Sequence, residues 1–205
     1  APEGPEVLRI VARCEALFDD LHFNAVKDWK AAVPGRKAIG YMPVYVPREI
    51  IHAAGMLPVG IMGGGDDLEI IRGDAYYQSY ICHIPRSTIE LGLNGSMDCL
   101  DGMLFPAICD VIRNLSGMWQ ILFPTKYVRY VDVPQNYDPK VGGRFWRLEV
   151  ERMLGDFARL DPRDGGLFSV DINGVLIRGS YVRIELPHLI EIAWGEADKK
   201  QKPHE

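Results

Sequence analysis

The chain has 205 residues, 47% hydrophobic and 25% charged, with 23 Lys and Arg against 28 Asp and Glu for a formal net charge of −5. That length can bury a sizeable core without disulfide staples, and the acidic balance argues against a general nucleic-acid binder, which carries a basic excess or a dense basic patch. No apolar run reaches the roughly 18–20 residues of a membrane-spanning helix, and the amino terminus reads without a secretory signal, so a soluble, cytoplasmic chain is expected.

Residues 1–35 read as an amino-terminal helical arm. Within 5–20, Val7, Leu8, Val11, Leu17 and Phe18 fall near one stripe at helical spacing, and Pro5 suits the first turn. A second helix is expected over 24–32, with Asn24 as its cap and Pro34-Gly35 as its stop.

From residue 37 the pattern changes to short apolar runs alternating with amphipathic segments. Strands are expected at 38–41, 58–62, 102–105 and 127–133, and helices at 48–54, 85–93, 110–119 and 145–160. Strands separated by helices of this length need crossover connections, which favour a parallel sheet covered by helices. Residues 36–160 are therefore assigned to an α/β domain with a parallel sheet flanked by helices, a Rossmann-like half.

A compositional break follows at Asp161-Pro162-Arg163-Asp164-Gly165-Gly166, and 161–205 reads as a short β-rich tail. Asn173-Gly174 between two apolar runs predicts a tight hairpin, and an apolar stretch at 181–194 precedes a charged end.

Several motifs carry chemistry or its imitation. Gly63-Gly64-Gly65 could let backbone amides approach a phosphate, but it lacks the Lys and Ser/Thr of a P-loop and the spacing of a dinucleotide fingerprint, so a plain turn is expected. Of the four cysteines, none forms a CxxC pair. Cys82 directly precedes HIPRSTIELGL, and Cys109 sits between a strand and the helix DVIRNLSGMW. Each thiol thus lies near a helix amino terminus, where the dipole and free amides favour a thiolate, the form that nucleophiles and iron–sulfur ligands share. Position alone leaves structural thiol and ligand equally open. Cys99 reads as a small core residue at the start of a strand, and Cys14 as a structural residue of the first helix. His83 adjoins Cys82, but the histidines form no ligand cluster. Arg86 and Arg113 each come four residues after one of the two cysteines and are the candidate substrate-binding groups, with surface ion pairs as the alternative. Tyr76, Tyr77 and Tyr80 are expected to pack. No catalytic residue is assigned.

The strings AIGYMPVYVPREIIHAAGMLPVGIMGGGDD, YYQSYICHIPRSTIELGL, MDCLDGMLFPAICDVIRNLSGMW and YVRYVDVPQNYDP, in that order, resemble the benzoyl-CoA reductase and 2-hydroxyacyl-CoA dehydratase family. The resemblance implies that Cys82, in YICHIPRS, and Cys109, in FPAICDVIR, ligate a [4Fe–4S] cluster. In that family a third ligand comes from a carboxyl-terminal α/β domain, which the residues after 160 do not resemble, so the chain is expected to lack that half. The implied reaction reduces benzoyl-CoA to a cyclic diene-carboxyl-CoA. ATP and Mg would be handled by separate activator subunits, which fits the missing P-loop. The implied partners are those activators, a homologous cluster-bearing subunit and ferredoxin as electron donor, with no nucleic acid and no membrane. The strings VPREIIHAAG and CHIPRSTIE favour this reading over a 2-hydroxyacyl-CoA dehydratase subunit. A cluster-free assembly module is the third reading.

Overall fold

The computed structural model describes residues 6–161 and the backbone of two later strands. In chain order its main elements are α1 (Glu6–Phe18), α2 (Asn24–Ala32), β1 (Ala38–Tyr41), α3 (Arg48–Ala53), β2 (Leu57–Gly60), α4 (His83–Leu93), β3 (Gly102–Pro106), α5 (Asp110–Leu122), β4 (Tyr127–Val131), α6 (Arg144–Leu160), β5 (Phe168–Ile172) and β6 (Val175–Gly179). Contacts group them into two units, Ala1–Arg48 with Met56–Val133, and Glu49–Gly55 with Pro134–Glu205.

The first unit holds a four-stranded sheet in the order β2-β1-β3-β4, parallel throughout. The expected class, α/β with a parallel sheet flanked by helices, is the one that forms. All five residues of β3 are buried, as a short unbroken apolar run should be in the middle of a parallel sheet. Gly40 in β1 is needed there, because a Cβ would lie 2.6 Å from Met103 Sδ and 2.9 Å from Leu100 Cδ1.

Helices α4 and α5 contribute Ile89, Leu91, Ile112, Leu115 and Trp119 to the core, against Met103 and Phe105 of β3. The Trp119 ring lies 5.7 Å from that of Phe105 and 4.5 Å from that of Phe123. Gly92 lets α4 approach these rings, since a Cβ at that position would stand 2.7 Å from both Trp119 and Phe123. Close helix packing therefore depends on one missing methyl group.

Polar side chains tie the amino ends of the strands together. Asp101 accepts from Lys30 Nζ at 2.6 Å, Lys37 Nζ at 3.1 Å and the Ala38 N–H at 2.8 Å. Burial opposes charge on this carboxyl, but the hydrogen bonds from Lys30, Ala38 and Lys37 outweigh it and hold its pKa below the usual value. Lys126 Nζ donates to the carbonyls of Met97, Asp98 and Leu100 at 3.2, 3.1 and 2.7 Å, and burial pushes its pKa down.

The second unit contains most of α3, a π-helical turn at Pro139–Gly143, α6 and the β5–β6 hairpin. Helix α6 buries Val150, Met153, Leu154 and Phe157, spaced i, i+3, i+4 and i+7. Strands β5 and β6 pair antiparallel from Phe168↔Gly179 to Ile172↔Val175, the register a two-residue connection requires.

Three expectations need correction. Asn24 does not cap α2. Phe23 takes the N-cap place with φ 55°, and Asp20 supplies the acceptor, 2.9 Å from the Ala25 N–H. The α1 stripe forms but is not covered, with Leu8, Val11, Leu17 and Phe18 all exposed, and Cys14 is exposed beside them rather than buried. Cys99 lies in a short 3-10 turn, Ser96–Cys99, before β3 rather than in the strand. Pro5, the turn at 162–166, Asn173-Gly174 and the stretch 181–194 lie outside the described residues.

Candidate metal centre

Sheet topology places the two cysteines of interest at one end of the molecule's first unit. The chain leaves β1 for β2 on one side and later adds β3 on the other, so the strand order reverses at β1 and β3. In open α/β sheets, ligands bind outside the strand carboxyl ends at such a reversal. Cys109 lies there, in the three-residue link between β3 and α5, as the N-cap of α5 with φ −156° and ψ 169°. The link is short and well tied. The Ala107 N–H donates to the Val131 carbonyl at 2.9 Å, and the Arg113 N–H reaches the Cys109 carbonyl at 3.2 Å to start the helix.

Cys82 is the N-cap of α4, with φ −58° and ψ 154°. Both thiols are exposed, and neither side chain spends itself on a cap hydrogen bond. The expectation that each sits at a helix start holds. Each therefore faces the free N–H groups and positive dipole end of its own helix, which favour an anionic partner.

The approach to Cys82 is long and is anchored on α4 itself. The Gly64 N–H donates to Ser87 Oγ at 3.1 Å, and a Cβ on Gly63, with φ +80°, would collide with that hydroxyl. The triple glycine is thus a turn docked on a helix, not an open phosphate cradle. Further along, Glu90 Oε2 accepts from three successive backbone N–H groups, Ile71 at 2.9 Å, Arg72 at 2.6 Å and Gly73 at 2.8 Å. Glu90 is only 5% exposed, so this buried carboxylate fixes the segment that leads to the tyrosines and to Cys82.

Tyr77 is the residue that sequence reasoning undervalued. Its ring is partly buried against the core, as expected, but its hydroxyl also donates to the Val111 carbonyl in the first turn of α5 at 3.4 Å. Its pKa is pushed up to about 12, first by burial and then by the negative fields of Cys109 and Cys82. Both sulfurs therefore act on one phenol. No periodicity could have announced this, because Cys109 comes from a segment separate from the one that carries Tyr77 and Cys82. Tyr76 and Tyr80 are exposed instead.

The two arginines are otherwise engaged. Arg86 is paired with Asp74, with Nε and Nη2 at 2.9 and 2.5 Å from Oδ1. Arg113 lies over the Tyr130 ring at 5.3 Å, with Nη2 3.5 Å from the hydroxyl. His83 is exposed at the first position of α4. Cys99 is half-buried at the opposite end of the strands, and burial raises its pKa despite Lys27, Lys30 and Lys126 nearby.

The donor chemistry suits an iron–sulfur cluster in part. Two exposed thiols capping neighbouring helices are the soft, anionic-capable ligands that such a cluster uses. Among the described residues, no three His, Cys, Asp or Glu come together to hold a metal ion. Cys82 and Cys109 are thus the described residues that would hold such a cluster.

The chain is 68% identical over 154 residues to a benzoyl-CoA reductase subunit of Thauera aromatica, covering 75% of this chain and 40% of that relative. It is 34% identical over 123 residues to the (R)-phenyllactyl-CoA dehydratase beta subunit of Clostridium sporogenes, covering 58% of this chain and 32% of the relative. It is also 36% identical over 111 residues to the beta subunit of (R)-2-hydroxyglutaryl-CoA dehydratase of Acidaminococcus fermentans, covering 52% and 29%. The chain thus spans two-fifths or less of the length of these relatives. The family described as 2-hydroxyglutaryl-CoA dehydratase, D-component, matches residues 43–160, which run from just before α3 to the end of α6 and include both helix-capping cysteines. The chain belongs to the 2-hydroxyglutaryl-CoA dehydratase D-component family.

Proposed function

We propose that this chain is part of the cluster-bearing subunit of an ATP-dependent benzoyl-CoA reductase, with Cys82 and Cys109 as two ligands of a [4Fe–4S] cluster. The observation that carries the reading is the pair of exposed thiols capping α4 and α5 at the sheet's carboxyl end. The identity of 68% to a benzoyl-CoA reductase subunit supports that substrate class over the 2-hydroxyacyl-CoA dehydratases, whose subunits match at 34% and 36%. When bound, the cluster supplies low-potential electrons for ring reduction, chemistry that side chains do not offer.

The chain's own residues hold and orient the two thiols. The two helix starts present N–H groups toward the cluster's negative charge. Glu90 and Ser87 fix the connection that leads to Cys82, and Tyr77 packs on the core and reaches the Val111 carbonyl in the first turn after Cys109. Residues 36–160 form the functional domain of this proposal, with 1–35 as a helical arm and 161–205 as an appendage. The working enzyme is a cytoplasmic hetero-oligomer, with a homologous cluster-bearing partner, activators that hydrolyse ATP with Mg, and ferredoxin as donor. Arg86 and Arg113 are not assigned to substrate, given their present partners. A direct test supplies the assembled complex with benzoyl-CoA, ATP and reduced ferredoxin. Dearomatised thioester is expected. Enoyl-CoA formed from a 2-hydroxyacyl-CoA, with benzoyl-CoA untouched, would overturn the substrate class in favour of the dehydratase reading.

A further inference from the structure

We propose that Tyr77 is a positioning residue that couples the two cysteine-bearing helix starts and so fixes the separation of the Cys82 and Cys109 sulfurs. The inference rests on reading those cysteines as one donor pair. The pair is built from two independent connections, one leading into α4 and one leaving β3. Farther along the helices, the close approach of Gly92 to Trp119 and Phe123 clamps α4 to α5. At their amino ends the clamp is Tyr77. It is carried by the segment leading to Cys82, and its hydroxyl reaches the Val111 carbonyl, two residues beyond Cys109.

Packing supports the bond. The Tyr77 ring lies against the hydrophobic cluster of the sheet and helices, so the side chain has little freedom to swing away. The fields of both sulfurs on the phenol agree with this placement. Because the hydrogen bond is long, at 3.4 Å, the ring carries more of the coupling than the hydroxyl. A two-point donor site gains affinity from a fixed gap, because the second bond then forms at high effective concentration.

The test uses the reduced full chain and phenylarsine oxide, which bridges two neighbouring thiols. Two S–H bonds are replaced by two As–S bonds, and the reagent's oxygen leaves as water with both protons. Mass spectrometry with peptide mapping identifies the bridged pair. The unsubstituted chain is expected to bridge Cys82 to Cys109. Tyr77→Ala should weaken that bridge roughly tenfold or more, and Tyr77→Phe by no more than about threefold. Iodoacetamide labelling of the half-buried Cys99 should stay slow in both variants, which a general loosening of the fold would not allow. Tyr77→Leu, which keeps an apolar group in the core, replaces Tyr77→Ala if the latter fails to fold. Absence of the bridge in the unsubstituted chain, or undiminished bridging in Tyr77→Ala or Tyr77→Leu, overturns the role. Tyr77-dependent bridging in a chain that takes up no iron with its partners would sink the proposed function and leave the positioning role standing.

Discussion

Replacing Glu90 should be among the most damaging single changes in the first unit. Its Oε2 receives three backbone N–H groups at 2.9, 2.6 and 2.8 Å, while Ile71 and Arg72 themselves are exposed and Gly73 is buried. In Glu90→Ala, water can reach the freed N–H groups of Ile71 and Arg72, so each lost bond costs about 0.5–1.5 kcal/mol. The Gly73 N–H is left buried without a partner, at about 1–3 kcal/mol, for a total of about 2–6 kcal/mol. Glu90→Gln keeps an acceptor but loses the charge assistance, and about 1–2 kcal/mol is expected. Urea unfolding of the full chain measures both, and amide exchange should rise at residues 71–73 before the core exchanges. A loss below about 1 kcal/mol in Glu90→Ala would refute the reasoning, because it would mean the loop holds its shape without the carboxylate.

Asp101→Asn should cost about 1–3 kcal/mol at neutral pH by weakening three hydrogen bonds. Because the folded carboxyl's pKa is lowered, its stabilisation is present above the unfolded value of about 3.9 and is lost as pH falls through the folded value. The gap between Asp101→Asn and the unsubstituted chain should therefore narrow in acid titrations of stability, and a gap that widens would contradict this. In alkylation with iodoacetamide at a pH of about 7.5, the exposed Cys14, Cys82 and Cys109 should react before the half-buried Cys99, whose pKa is raised. Equal rates for Cys99 would show that it is open to solvent. Gly92→Ala should lose about 1–3 kcal/mol in thermal or urea unfolding, since the added methyl meets two aromatic rings at 2.7 Å. An unchanged midpoint would mean that α4 and α5 separate freely.

The sheet was legible because its strands are short apolar runs divided by amphipathic helices of crossover length. β1 came out at Ala38–Tyr41 and β3 at Gly102–Pro106, each close to its expected bounds. Helix starts at Cys82 and Cys109 were readable from local order alone, since a cap depends on its neighbours in sequence. What could not be read arises at long range. Asp20 displaced Asn24 as the acceptor at α2 through a turn that brings it back over the helix start. The role of Glu90 depends on a loop folding against α4, and a glutamate in a helix otherwise signals a solvated face. Arg86 and Arg113 shared the same offset from the cysteines, yet one met Asp74 and the other met the Tyr130 ring, both brought near only by the fold. Tyr77 looked like one of three packing tyrosines until folding brought its hydroxyl to the Val111 carbonyl, two residues beyond Cys109.

Ligation of a cluster by Cys82 and Cys109 is tested by iron and acid-labile sulfide measured on the anaerobically assembled complex. Cys82→Ser and Cys109→Ser should each lose the cluster iron from this subunit while the chain stays folded by circular dichroism, and Cys14→Ala and Cys99→Ala should retain it. Undiminished iron and sulfide in Cys82→Ser would contradict the assignment, and loss of iron in Cys99→Ala would move the ligand to the opposite end of the strands.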